Sequence, residues 1–328
     1  MSTVTISDTP FVGNDRLLVG IVLSVLTFWL FAQSVINVVP AMKSSLDISL
    51  ETLTLAVSLS ALFSGCFVVA SGGLADKFGR MRMTTLGLGL SIVGSAMLVV
   101  AQGPGLFLAG RVLQGLSAAR SMPAALIDFA LFRNRAYGAA VLSNFLLNGA
   151  IGTMMIASIW LQQGHHLTPL ESGMMTLGYL VTVLAMIRVG EKLLQRYGAR
   201  LPMMAGPVLT AIAIALISCT FLEKALYIGV VFASNVLFGL GLGCYATPST
   251  DTAVANAPEN KIGVASGIYK MGSSLGGAMG IAVTASLFAL FLPLGMAHAA
   301  QYALWFNAVL CLGAMAVSAL LLPRASHS

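Results

Sequence analysis

Gly72-Gly73-Leu74-Ala75-Asp76-Lys77-Phe78-Gly79-Arg80-Met81-Arg82 is a short charged turn between two long apolar runs, 52–71 and 83–102. Apolar runs of about 20 residues have the length that crosses a bilayer core as a helix. Charged groups are costly inside that core, so Lys77, Arg80, Arg82 and Asp76 belong outside it. The turn therefore joins two membrane-spanning helices on one side of a membrane. Gly72 and Gly79 allow close helix approach or unusual backbone angles. Asp76 can accept hydrogen bonds from a neighbouring helix N-terminus, where the helix dipole is positive.

The rest of the 328 residues agrees with this reading. Hydrophobic residues make up 58% of the chain and charged residues only 9%, and the mean hydropathy is +0.92. Soluble domains carry about 25% charged residues, so this composition excludes a water-soluble globular protein and gives an integral membrane protein. Long uninterrupted apolar runs exclude the alternating pattern of a membrane β-barrel. The net charge of +6 reads as loop charge on the cytoplasmic side, and no nucleic-acid module is recognisable. Cys66, Cys219, Cys244 and Cys311 stand singly inside apolar runs, without metal-ligand or disulfide spacing. The run from Leu17 to Val39 is too long for a signal peptide and has no small-residue cleavage site, so it is expected to stay as the first membrane helix.

Ten apolar spans are expected, at 16–39, 52–71, 83–102, 105–125, 137–161, 170–189, 202–221, 225–247, 263–292 and 300–322. With the N-terminus inside, thirteen Lys and Arg residues fall in inside segments, while the outside loops hold only Lys43 and Lys224. That bias follows the positive-inside rule and would collapse if one span were miscounted. Both termini are expected on the cytoplasmic side.

Two internal correspondences point to related halves. Leu194-Gln195-Arg196-Tyr197-Gly198-Ala199-Arg200 repeats the basic–aromatic–Gly core of Ala75-Asp76-Lys77-Phe78-Gly79-Arg80, at an offset of 119 residues. Arg111-Val-Leu-Gln-Gly115, with Pro123 beyond it, is similar to Asn235-Val-Leu-Phe-Gly239 followed by Pro248, at an offset of 124. Such repeats are a common way of building transporters. The offset spans four helices, so span 2 corresponds to span 6 and span 4 to span 8. The later half then has six spans and the earlier only four.

The opening turn resembles, almost residue for residue, the loop between helices 2 and 3 of the major facilitator superfamily, whose pattern is Gly-x-Leu-Ala-Asp-Arg-x-Gly-Arg-Lys. Met81 departs from it, and Arg82 supplies the basic group one place later. Arg111-Val-Leu-Gln114-Gly115 resembles the family's Arg-x-x-Gln-Gly motif. Phe28-Trp29-Leu30-Phe31-Ala32-Gln33, with Asn37-Val38-Val39-Pro40, is similar to the first helix of its fourteen-helix drug:proton antiporter branch. Ile127-Asp128-Phe129-Ala130-Leu131-Phe132-Arg133-Asn134 resembles the linker before that branch's ninth helix. Tyr245-Ala-Thr-Pro248-Ser-Thr-Asp251 and Gly267-Ile-Tyr-Lys-Met-Gly-Ser-Ser-Leu275-Gly276 look like its twelfth and thirteenth helices. On this resemblance family helices 5 to 8 are absent near Arg120–Asp128, including the antiporter motif of the fifth helix. Loss of four helices preserves the inside/outside parity.

The resemblance implies roles for particular residues. Gly72, Asp76, Gly79 and Arg80 would form a conformational latch between the halves; a loop that only fixes orientation explains Lys77 and Arg82 equally well. Arg111 would take part in proton coupling, the alternative being an arginine that snorkels to the headgroups. No Asp or Glu lies deep in any span, which leaves Asp251 as the nearest proton carrier, with a plain loop residue as the alternative. From the residues themselves, Trp29, Gln33 and Asn37 recur on one face of span 1, Asn144 and Asn148 on span 5, and Asn235 takes Arg111's repeat position in span 8. These suit a cavity for amphipathic organic cations or, equally, interhelical hydrogen bonds. The seventeen methionines suit an adaptable pocket or plain packing. Gly272, Gly276 and Gly280 make a small-residue face for helix packing. Lys270 would reach the cytoplasmic interface or pair with Asp251. His165-His166 reads as an incidental pair in an exposed outer loop, not as a metal site.

The expected fold is an all-α membrane protein of about ten transmembrane helices, major-facilitator-type with an incomplete N-terminal bundle. Residues 1–126 form that bundle, 127–136 a cytoplasmic linker and 137–328 the C-terminal bundle. The resemblance implies a proton-coupled multidrug exporter in the cell inner membrane, working by alternating access without a cofactor or metal. Its partners would be membrane lipid, protons and a small lipophilic or cationic substrate. Nothing resembles a catalytic constellation, so an enzyme is not expected. The alternatives are a non-transporting truncated remnant, stabilised by pairing as a homodimer, and an uncoupled small-metabolite facilitator.

Overall fold

The computed structural model describes residues 52–64, 80–118 and 129–323, together with Met42, Ser49 and Cys66. Among them the chain is helical, with no strand. In the earlier part, α1 (Thr52–Ser64), α2 (Arg80–Val99) and α3 (Pro104–Ala118) carry parts of spans 2, 3 and 4. The later part contains α4 (Arg135–Gly149), α5 (Gly152–Ile159), α6 (Pro169–Met175), α7 (Leu177–Tyr197), α8 (Arg200–Ile217), α9 (Lys224–Ala255), α10 (Ile262–Phe291) and α11 (Met296–Leu321). Six segments here are long and apolar enough to cross a membrane, and they match spans 5 to 10. Span 1 lies outside the described residues.

Three expected spans differ in detail. Span 5 is two helices, not one. Its ladder is interrupted at Gly149–Gly152, where Ala150 N bonds Leu147 O at 3.2 Å and Thr153 N bonds Ala150 O at 3.0 Å, a tighter three-residue pattern. The cause is crowding by α10: a Cβ at Gly152 would meet Thr284 Oγ1 at 2.6 Å, and one at Gly280 would collide with the Gly149 carbonyl. Span 6 is likewise split, into α6 and α7 at Thr176, whose hydroxyl bonds the Gly173 carbonyl at 2.7 Å. The start of α6 carries a capping box the sequence reading missed, with Thr168 Oγ1 accepting from Glu171 N at 3.2 Å and Glu171 Oε2 from Thr168 N at 2.7 Å. Span 8 continues to Ala255, beyond the expected end at 247, with Pro248 inside the helix.

The later bundle is organised around α9, which packs against α7 and α8. Its glycines permit this. A Cβ at Gly241 would approach Thr210 Oγ1 to 2.5 Å, and one at Gly206 would approach the Gly241 carbonyl to 2.6 Å. On the other side α10 lies against α4, and α11 joins α4 to α8. The end of this bundle that carries Asn134 and Arg200 is tied twice. Asn134 caps α4 through Ala136 N and Tyr137 N and also donates to Asn256 O at 3.2 Å. Arg200 donates to Ala319 O at 2.6 Å, satisfying a carbonyl in the last turn of α11. The earlier part meets the later one at Thr54, whose hydroxyl lies 3.9 Å from Met155 Sδ.

Candidate functional site

Arg111 sits on α3, two turns inside Pro104, a residue suited to a first helical position. It is only 4% exposed. Its guanidinium does not reach for a headgroup. Nε donates to Ala56 O on α1 at 3.3 Å, one terminal nitrogen to Ser60 Oγ at 2.8 Å, and the other to Gln114 Oε1 at 3.0 Å. Gln114 then donates to Ser95 Oγ on α2 at 3.1 Å. One charged residue and one amide thus bind three helices. Glycine makes the geometry possible: a Cβ at Gly115 would lie 2.5 Å from the Ser60 carbonyl, and one at Gly110 would lie 2.9 Å from the Gly94 carbonyl. Only such close crossings bring the α1 backbone within a guanidinium's reach. Among the described residues its acceptors are neutral dipoles, with no carboxylate among them.

In the later bundle Asn144 is buried and donates to the Tyr269 carbonyl of α10 at 3.1 Å. Asn148, one turn on, donates to Asn144 Oδ1 at 2.8 Å. It is half-buried, and its own Oδ1 accepts no hydrogen bond among the described residues. Asn144 is therefore committed to packing, while Asn148 presents a free acceptor. Gly272, Gly276 and Gly280 lie along the α10 face against α4: a Cβ would meet Val141 Cγ1 at 3.3 Å from Gly272, and would collide with the Phe145 and Gly149 carbonyls from the other two.

Asn235 occupies Arg111's repeat position but behaves differently. Its amide nitrogen donates to Val231 O of its own helix at 3.0 Å, and its Oδ1, like Ser234 Oγ, is buried without a partner among the described residues. Asp251 is on an exposed face of the extension of α9 past Pro248, so it belongs to a helix and not to a loop. Arg80 is the first residue of α2. Gly72, Asp76, Gly79, Trp29, Gln33 and Asn37 lie outside the described residues.

The sequence reading missed three polar clusters. Thr284 Oγ1 donates to Asn307 Oδ1 at 2.8 Å, and Asn307 Nδ2 to Thr153 Oγ1 at 3.1 Å, a fully buried knot joining α10, α11 and α5. An asparagine two turns inside span 10 was its visible signal. Tyr245 pairs with Ser143 at 2.6 Å, and Tyr269 donates to Ser249 at 3.0 Å. His165 is a correction: it is half-buried in an aromatic stack, not an exposed loop residue. No group of three or more His, Cys, Asp or Glu residues that could hold a metal occurs among the described residues.

Comparison with known proteins covers nearly the whole chain. A model of the Major Facilitator Superfamily matches residues 17–138 and 136–328. The chain is 35% identical over 453 aligned positions to the quinolone resistance protein NorB of Staphylococcus aureus strain MRSA252, covering 97% of this chain and 98% of that one. The protein of the same name from strain JH9 matches at the same identity and coverage. The alignment has 453 positions against 328 residues here, so at least 125 positions of the relative have no counterpart in this chain. Because the alignment covers nearly all of both chains, that shortfall is internal. Among solved structures, the nucleoside transporter NupG superimposes with a TM-score of 0.66 at 12% identity, over 90% of this chain and 97% of that one. The human organic anion transporter MFSD10 gives a TM-score of 0.58 at 16% identity, over 87% and 89%. These two share the fold.

Proposed function

The chain belongs to the major facilitator superfamily, and from that premise we propose that it exports drugs by proton-coupled antiport and alternating access. The observation that carries drug export is the 35% identity to a quinolone resistance protein across 97% of the chain. The substrate class is small lipophilic or cationic compounds, held in a cavity between the halves. Asn148 offers its free acceptor there, and Trp29, Gln33 and Asn37 of span 1 line the facing side. Asn144 and Asn235 set that wall through their bonds to Tyr269 and Val231. Gly72, Asp76, Gly79 and Arg80 latch the halves in one conformation and release them in the other.

Arg111 is the coupling residue in this reading. A buried guanidinium held by neutral acceptors is sensitive to any charge arriving nearby, since Coulomb terms are large at low effective dielectric. The exposed position of Asp251 favours its role as a surface group. The chain lies in the cell inner membrane with both termini cytoplasmic, as its charge bias supports. The internal shortfall amounts to about four helices at roughly 30 residues per helix and loop. We assign it to family helices 5 to 8. It leaves the six-helix later bundle whole, and pairing as a homodimer would cover the shortened half.

The test is efflux of a fluorescent quinolone from cells making the chain, with and without an uncoupler. Uncoupler-sensitive efflux that Arg111→Ala abolishes at matched membrane abundance is the expected result. Efflux indifferent to the uncoupler would point to a facilitator, and none from well-inserted protein to a non-transporting remnant.

A further inference from the structure

At the end of the later bundle away from Arg200, the helix that begins with α5 leaves its regular course. Trp160–Gly164 form a single π-helical turn, closed by His165 N donating to Trp160 O at 3.2 Å. Isolated π-turns are frequent at functional sites. Two further features mark this one. A Cβ at Gly164 would collide with the Trp160 ring, so only glycine lets that ring lie across the turn. His166 has φ +57°, the one non-glycine residue at positive φ among the described residues.

The turn holds the His165 ring between two aromatic rings. Trp160 lies edge-on at 5.1 Å and Tyr227 of α9 is stacked at 5.0 Å. Tyr227 is fully buried, and its hydroxyl is anchored to Ile217 O at 2.9 Å. Leu161, Leu167 and Val231 complete an apolar floor. His165 Nε2 and Trp160 Nε1 are both buried there without a partner. This joint is where α5, α6 and α9 meet.

We propose that His165 is a proton-operated catch: neutral, it holds the π-turn closed against α9, and protonated, it leaves the stack and frees the joint. A neutral imidazole can bury an unprotonated Nε2 at the loss of one hydrogen bond. An imidazolium would bury a second N–H donor and a net charge with no acceptor. Two neighbouring basic residues oppose it as well. Lys224 opens α9 beside it, and His166 follows it in the chain. Burial first, then these two neighbours, hold the His165 pKa below the ordinary 6.5. Glu171 of α6 is engaged by the Thr168 cap, and α5 carries no titratable group. The helix α11, which also packs against the turn, has no Asp, Glu, Lys or Arg, and its His298 is exposed. The ring faces of Trp160 and Tyr227 attract a cation and work the other way.

The sign follows from the lowered value. The stacked form binds the proton less well than the free ring, so its advantage is full above about pH 6.5 and drains as pH falls below that. This goes beyond the export reading and needs no assumption about substrate or direction.

Trp160 itself reports the state. In the full chain with Trp29→Phe and Trp305→Phe it is the one remaining tryptophan of three. Reconstituted in phosphatidylcholine vesicles, its emission should move to the red as pH falls from about 8 to about 5, with a midpoint below 6.5. His165→Phe, which keeps an aromatic ring in the stack, should abolish the change, and His166→Ala should keep it. If His165→Phe does not fold, His165→Gln serves the same purpose. A flat titration, a change that survives loss of His165, or a midpoint at or above 6.5 would overturn the proposal.

Discussion

Arg111–Gly115 on α3 and Asn235–Gly239 on α9 occupy equivalent places in the two halves, yet only their backbone geometry is shared. A Cβ at Gly115 would stand 2.5 Å from the Ser60 carbonyl of α1; a Cβ at Gly239 would stand 2.6 Å from the Tyr179 carbonyl of α7. Since span 2 corresponds to span 6, these are the same helix crossing made twice. The polar residue one turn before each glycine has diverged. Arg111 sends two of its three hydrogen bonds to a neighbouring helix, while among the described residues Asn235 bonds only its own helix and leaves Oδ1 bare. Glycine therefore sets how close the helices run, and the residue beside it determines whether the crossing also carries a charge.

The largest effect should come from breaking the shared element. Gly115→Leu and Gly239→Leu each force a side chain into a neighbouring backbone, where overpacking costs about 1–3 kcal/mol or more. Both variants should lose the monodisperse peak in size-exclusion chromatography. If only one does, the crossings are not equivalent.

Next comes the divergent element. Asn144→Leu strips a donor from the Tyr269 carbonyl and the acceptor from Asn148, a loss of about 1–3 kcal/mol for the groups left unpaired. Asn235→Leu removes an acceptor that has no partner, so it should leave the thermal midpoint unchanged or raise it. Equal destabilisation by the two would mean that Asn235 Oδ1 has a partner after all. The smallest effect belongs to Asp251→Asn. On an exposed helical face it should alter neither the melting temperature nor the pH profile of efflux, as surface substitutions usually do little. A shifted pH profile would return Asp251 to the coupling machinery.

Much of this was legible in the sequence because lipid imposes a simple rule: apolar runs span and charges mark the turns. Spans 5 to 10 followed from that rule, and Arg111 stood out as a cation inside one. What escaped depends on contacts far along the chain. Two of Arg111's three partners are a backbone carbonyl and a serine hydroxyl 55 and 51 residues earlier, and neither residue type announces such a role. The break at Gly149–Gly152 is imposed by Thr284 and Gly280 of α10, so no local pattern betrays it. His165 looked like a loop residue because the π-turn that carries it has no sequence signature. Asn307 was a readable signal that went unread.

The central claim is that a ten-helix chain of this family still couples export to protons through Arg111. Proteoliposomes with an imposed proton gradient test it, comparing the parent chain with Arg111→Met. Met keeps most of the side-chain volume but leaves the Ser60 and Gln114 acceptors without their donor, a loss of about 1–3 kcal/mol, so rates are compared per folded, reconstituted protein. The account predicts gradient-driven quinolone export by the parent and at least a tenfold loss in the variant, about 1.4 kcal/mol or more. Equal rates per folded protein, or no export from a folded parent, would contradict it.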